Sequence, residues 1–212
     1  MEYPFGGVNK RFDGTFAVTP RMPLGRLDAD QLEKIATIVR RFGLPGVQAT
    51  TAQRISIEGI SAKNLGEVVK LLDGVGNRCP QSITACRGRG VCKRGLQDTH
   101  VMAVQIEEIL TDFKQMPAHL KVGLSGCPRC CGASYVKDIG LVGTTKGWIL
   151  VFGGNAGRKV RSGDELLVDA SEKKVLENLN SILSFYREYA NNRERTARFV
   201  ERLGIDKIKN IL

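Results

Sequence analysis

The chain has 212 residues, of which 32 are Lys or Arg and 22 are Asp or Glu, so its formal net charge is +10. No apolar run is long enough to cross a membrane, and residues 1–20 lack the basic flank and apolar stretch of an export signal, so we expect a cytoplasmic protein with reduced thiols. The positive charge favours anionic partners. Because the basic residues are dispersed and no nucleic-acid motif is present, we expect no nucleic acid and no membrane among them.

The first third of the chain shows hydrophobic periodicities in the order β-α-β-β-α. The predicted elements are a loose arm at 1–14, a strand at 15–19, a helix from 28 or 30 to 43, strands at 47–51 and 54–59, and a helix at 61–72. This order suits a ferredoxin-like sheet with helices on one face. The turn-forming stretch 73–77 is the expected boundary, so we expect domains at 1–76 and 77–212.

The remainder of the chain mixes helices and strands. The predicted elements are a long helix from near 97 to 116, a strand at 121–125, a hairpin-like pair at 138–142 and 147–152, a helix at 171–191 and a short basic helix at 194–203. A glycine loop, Gly153-Gly154-Asn155-Ala156-Gly157, follows the second hairpin strand. The expected fold class is therefore α+β.

All six cysteines lie between Cys79 and Cys131, and four of them are spaced as Cys86-x5-Cys92 and Cys127-x3-Cys131. Two separated pairs of thiolates can close the four corners of an iron–sulfur cubane. On this interpretation Cys79 and Cys130 are spare. We expect only one of the adjacent Cys130 and Cys131 to be a ligand, because neighbouring side chains point in different directions.

Three other interpretations of the cysteines stay open at this point. Cys127-x2-Cys130 fits one half of a zinc site, although Cys86-x5-Cys92 exceeds the usual gap. Free cysteines are often buried in cores. Disulfides are disfavoured in a reducing compartment.

Three motifs carry a resemblance to a known family: Ile83-Thr84-Ala85-Cys86, Gly95-Leu96-Gln97-Asp98-Thr99 and Ser125-Gly126-Cys127-Pro128. Together with the cysteine spacing they resemble the sirohaem and [4Fe–4S] nitrite and sulfite reductase family. Residues 14–75 look like that family's ferredoxin-like half-domain, and the resemblance omits only about the first dozen and the last twenty residues. The short length is most similar to the low-molecular-weight, single-repeat, assimilatory-type sulfite reductases.

The resemblance implies an α/β domain that binds a [4Fe–4S] cluster and sirohaem and reduces sulfite or nitrite by six electrons. It implies that Cys86, Cys92, Cys127 and Cys131 hold the cluster and that Cys131 also bridges it to the sirohaem iron. The expected sirohaem-binding residues are Arg87 and, in the glycine loop, Gly153, Gly154, Asn155 and Gly157. The implied partners are a small oxyanion and a ferredoxin-like electron donor.

Reduction of an oxyanion also needs cations around the bound anion. The candidates are Arg21, Arg54, Arg78, Arg87, Arg89, Lys93, His119 and Lys121. The catalytic set we favour is Arg21, Arg54, Lys121 and His119, and the resemblance supports Arg21 and Lys121 most directly. A single exposed Arg or Lys is nevertheless more often a solvated surface charge.

The sequence departs from the family pattern at three positions. Ala52 and Gln81 stand where the family usually has arginine, and His119 stands where it usually has the first lysine of a Lys-x-Lys pair. Fewer cations would then face the substrate. Arg54 is expected to compensate, since it would lie two residues along a strand from Ala52 and share its face.

Two alternatives to a reductase remain open on sequence grounds. One is an electron-transfer or tetrapyrrole-handling protein of the same fold with a different substrate, and the other is a zinc-binding structural module. A single half-domain also leaves a sheet edge uncovered, which predicts a possible homodimer.

Overall fold

The computed structural model describes residues 3–4, 6–77 and 79–211, which form two compact units, Met1–Pro80 and Gln81–Leu212. Candidate Arg78 lies outside the described residues. Among the described helices, none combines the length and apolar character needed to span a membrane.

The first unit is an antiparallel sheet with two helices. Its elements are β1 (Val8–Lys10), β2 (Phe16–Val18), α1 (Ala29–Arg41), β3 (Val47–Ala49), β4 (Ile55–Ile60) and α2 (Ala62–Leu71), and the strand order is β1-β2-β4-β3. Asp28 begins α1 with a capping box, in which its carboxylate accepts from the Gln31 amide and the Gln31 side chain accepts from the Asp28 amide. Buried Val18, Ile38 and Ile57 belong to the core between sheet and helices.

The second unit is a mixed five-stranded sheet in the order β5-β6-β7-β8-β9. Its elements are β5 (Ser82–Ala85), α3 (Thr99–Asp112), β6 (Lys121–Ser125), β7 (Ile139–Gly143), β8 (Trp148–Phe152), β9 (Asp164–Ala170), α4 (Glu172–Tyr189), α5 (Thr196–Leu203) and α6 (Ile205–Lys209). Strands β5, β6 and β7 are parallel, and β8 and β9 are antiparallel to their neighbours. Helix α3 packs on β5 and β6, and α4 packs on β8 and β9.

The predicted α+β class is confirmed, as is the hairpin of β7 and β8. Two expectations are corrected. Residues 1–14 are not simply a loose arm, because Val8–Lys10 pairs with Phe16–Val18. Residues 50–54 are a turn between β3 and β4, closed by the Thr50 amide on the Arg54 carbonyl at 2.8 Å, and therefore not strand.

Candidate metal centre

The first cysteine loop begins where β5 ends. The Cys86 amide continues the strand pairing by donating to the Leu124 carbonyl at 3.0 Å, and Thr99 Oγ1 donates to the Cys86 carbonyl at 2.6 Å. Gly88 then turns the chain with a φ of +64°, and a Cβ there would lie 2.6 Å from Thr99 Oγ1. The loop is therefore tightly fixed between β5 and the start of α3.

The second cysteine loop begins where β6 ends and interlocks with the first. The Gly126 amide donates to Cys86 Sγ at 3.1 Å, and the Gly126 carbonyl accepts from the amides of Leu96 and Gln97. A Cβ on Gly126 would lie 2.9 Å from the Gly88 Cα, so only glycine allows this approach. Because β5 and β6 are parallel and adjacent, their carboxyl ends bring Cys86 and Cys127 to the same end of the sheet, called here the cysteine end.

Four thiols at the cysteine end are close enough together that three of them affect the pKa of the fourth. Burial raises the pKa of Cys130, and the neighbouring thiols of Cys127, Cys131 and Cys86 raise that pKa further, whereas a hydrogen bond with Ser125 lowers it. Cys130 is half-buried against Ser125 and Cys131 is exposed, so the two adjacent side chains occupy different environments. Cys92 is exposed on the first cysteine loop, and Cys79 is buried in the first unit.

The backbone next to Cys130 is held by hydrogen bonds between serines. Ser134 Oγ donates to the Leu141 carbonyl at 2.8 Å and therefore accepts from Ser125 Oγ at 2.8 Å. Ser125 Oγ in turn accepts from the Gly132 amide at 3.0 Å, which fixes the backbone that follows Cys131.

This donor set fits a cubane. A [4Fe–4S] cluster takes one thiolate at each of four separated irons, and amide donors to its sulfurs tune its potential, as the Gly126 amide can do. Among the described residues, no three His, Cys, Asp or Glu side chains converge closely enough to hold one metal ion. The sulfurs are instead spread over two interlocked loops.

Two of the favoured cations lie at the opposite end of the sheet. Lys121 is the first residue of β6, and His119 Nε2 is 2.9 Å from Ser82 Oγ at the start of β5. The four steps from Lys121 to Ser125 correspond to about 13 Å of strand. The structure therefore does not bring the backbones of Lys121 and His119 to the cysteine loops.

Sequence reasoning missed a third cation, Lys137, which precedes β7. A Cβ added at Gly123 would lie 2.8 Å from Lys137 Cγ and 2.5 Å from the Gly132 carbonyl oxygen. Lys137 therefore passes beside Gly132, the residue that follows Cys131. Burial, and then the charge of Lys121, lower the pKa of Lys137. Lys121 and Lys137 thus form a cationic pair over β6. Only the absence of a side chain at Gly123 could have indicated it.

The glycine loop packs against the segment that joins the second cysteine loop to β7. The Gly153 amide donates to the Asp138 carbonyl at 2.9 Å, which places the loop beside the start of β7. A Cβ on Gly154 would lie 2.4 Å from the carbonyl oxygens of Tyr135 and Lys137. Close packing accounts for the glycine at position 154, and the sirohaem-binding role of Gly153, Gly154, Asn155 and Gly157 stays a prediction.

The favoured cations of the first unit have structural contacts. Arg54 donates through Nη1 to the Met22 carbonyl at 3.0 Å and through Nη2 to Asn77 Oδ1 at 3.0 Å. Arg21 lines a cavity of about 160 Å³ together with Lys34 and Asp73, which form an ion pair. The expectation that Arg54 shares a strand face with Ala52 is wrong, since both residues belong to the turn between β3 and β4.

Gln81 is a buried residue with a backbone partner. It is 3% exposed, and its Oε1 accepts from the Leu120 amide at 2.6 Å. The arginine that the family usually carries here would be a buried charge in this chain. The remaining candidates, Arg87, Arg89 and Lys93, are all exposed on the first cysteine loop.

Comparison with known proteins identifies the family. The model of the nitrite and sulphite reductase 4Fe–4S domain matches residues 76–212, and the model of the nitrite/sulfite reductase ferredoxin-like half domain matches residues 9–75. The chain belongs to the nitrite and sulphite reductase family. The match reaches residue 212, so the resemblance extends further than the sequence motifs predicted.

The relatives of this family member include short and long proteins. It is 38% identical over 219 residues to the assimilatory-type sulfite reductase of Nitratidesulfovibrio vulgaris strain Hildenborough, covering 97% of this chain and 96% of that protein. It is 35% identical to the nitrite reductase [NAD(P)H] of Bacillus subtilis strain 168, of which it spans only 26%. The structure of the Mycobacterium tuberculosis NirA protein shares the fold, with a TM-score of 0.80 and 23% identity over 95% of this chain and 41% of that one.

Proposed function

We propose that this chain is a sirohaem- and [4Fe–4S]-dependent oxidoreductase that reduces sulfite, or nitrite, by six electrons. The observation that carries the proposal is identity to an assimilatory-type sulfite reductase over nearly the full length of both chains. The meeting of the two cysteine loops at one end of the sheet supports it independently.

The chain's own residues would perform three tasks. The cluster would be held by Cys86, Cys92, Cys127 and Cys131, and Cys131 would also bind the sirohaem. The Gly126 amide would fix Cys86 and stabilise negative charge on its sulfur. When bound, the cluster and the sirohaem would supply the electrons for reduction of the anion. Lys121 and Lys137 would supply positive charge towards the anion, with Arg21, Arg54 and His119 as the other candidates.

The setting and partners are part of the proposal. Six free cysteines suit a reducing compartment, for which we propose the cytoplasm. A ferredoxin-like protein would donate the electrons. We also propose a homodimer, because every residue of edge strand β3 is exposed, and light scattering of the reduced protein checks this.

The test is turnover of the anaerobically reconstituted protein with reduced methyl viologen. We expect consumption of sulfite with release of sulfide, or of nitrite with release of ammonium. Protein that carries sirohaem and cluster and reduces neither anion would contradict the proposal.

The same experiment decides a second candidate function. Among the favoured cations, Lys121 and His119 begin away from the cysteine loops and Arg54 is hydrogen-bonded within its own unit. This observation favours an electron-transfer or tetrapyrrole-handling role if the loaded protein is inactive.

A further inference from the structure

The first cysteine loop is cationic and carries no compensating acid. It contains Arg87, Arg89, Lys93 and Arg94, and the sequence has no Asp or Glu between Asp73 and Asp98. The second cysteine loop adds exposed Arg129. These five residues lie on the same two loops as the exposed Cys92 and Cys131 and are called here the cationic rim.

The side chains of the rim face solvent and are unpaired. Arg89, Lys93 and Arg94 are exposed, and none of the rim side chains makes a hydrogen bond or ion pair with the residues that the structure describes. Val91, between them, is 61% exposed. Unpaired like charges around an exposed valine are typical of a surface that receives an acidic partner.

The backbone beneath these side chains is held in place. The amide of Arg89 donates to the Gln97 carbonyl at 2.8 Å, that of Cys92 to Gly88 and that of Gly95 to Cys92. A partner would therefore meet a preorganised surface and would lose little free energy in ordering the loop.

We propose that the cationic rim is the docking surface for an acidic electron-donor protein. This inference rests on the proposed function. Docking would place the donor's redox centre next to the cluster ligand Cys92. In each encounter the donor loses one electron and the cluster gains it, with no bond made or broken. Six such transfers would supply one substrate turnover.

The test compares two double charge reversals of the reconstituted holoprotein. Arg94→Glu with Arg129→Glu changes the rim. Lys207→Glu with Lys209→Glu makes the same charge change on exposed residues of α6 and serves as the control. Binding of an acidic [2Fe–2S] ferredoxin is measured by calorimetry at low and high salt, and turnover is measured with the reduced ferredoxin and with reduced methyl viologen.

We expect the rim variant to weaken ferredoxin binding and raise the KM for ferredoxin by about tenfold or more at low salt, and the effect to shrink as salt screens the charges. Methyl viologen turnover and sirohaem content should match the parent, and the control should bind normally. The inference would be overturned by equal losses of ferredoxin binding in both variants, by unchanged ferredoxin binding in the rim variant, or by loss of sirohaem from the rim variant. Because calorimetry needs no turnover, it tests docking even if the proposed reductase activity fails.

Discussion

Gln81 shows how the chemistry of a side chain depends on which group it contacts. In the sequence it stands where the family usually has arginine, which suggests a weakened substrate pocket. In the structure its carbonyl oxygen satisfies the Leu120 amide just before β6. A buried amide without an acceptor costs about 1–3 kcal/mol, so this position is constrained by folding.

We therefore predict that Gln81→Arg destabilises the protein and restores no activity. It removes the acceptor and buries a charge, and the expected loss is about 2 kcal/mol or more of unfolding free energy. Gln48→Arg makes the same change on exposed β3 and should alter stability by less than about 0.5 kcal/mol. Denaturant titration of both variants checks this, and equal stability of the two would show that Gln81 is not the structural residue described.

Residue spacing predicts a site more reliably when the residues of that site are close together in the sequence. Cys86-x5-Cys92 and Cys127-x3-Cys131 each lie on one loop, and parallel strands necessarily deliver both loops to one end. The cations are not local. Whether Lys121 or Lys137 lies near Cys131 depends on the crossover between β6 and β7, which no pattern in the sequence specifies.

At the level of elements, strand direction separates the expected site residues. The cysteine loops follow the carboxyl ends of β5 and β6, whereas the glycine loop follows the end of antiparallel β8, beside the start of β7. The sequence predicted most strands and the hairpin of β7 and β8, but not that β5, β6 and β7 run parallel. It missed β1, β5 and β9, because β1 and β5 have only three and four residues and β9 alternates irregularly between charged and apolar side chains.

The glycine loop offers a matched pair of substitutions. Gly154→Ala places a methyl group 2.4 Å from two carbonyl oxygens and should cost about 1–3 kcal/mol or more. Gly157→Ala meets only the Asn155 side chain, at 3.3 Å, and should be nearly neutral. Thermal unfolding distinguishes them. If Gly157→Ala instead lowered sirohaem content at unchanged stability, the loop would belong to the cofactor site.

At the scale of the whole molecule, the chain combines a ferredoxin-like unit with a unit that carries every expected cluster ligand. Each unit has its own periodicities and motifs, and these carried the prediction of the fold class. The contacts of Arg21 and Arg54 were not predictable, since they depend on the tertiary structure of the first unit.

The cluster itself provides the most direct test of the account. Iron, labile sulfide and sirohaem are quantified in anaerobically reconstituted parent protein and in single Cys→Ser variants of all six cysteines. We predict that the parent holds one [4Fe–4S] cluster and one sirohaem, that the variants at Cys86, Cys92, Cys127 and Cys131 each lose most of the cluster iron, and that those at Cys79 and Cys130 retain it. The ligand assignment would be contradicted if replacing Cys79 or Cys130 removed the cluster while replacing any of the other four cysteines left it in place.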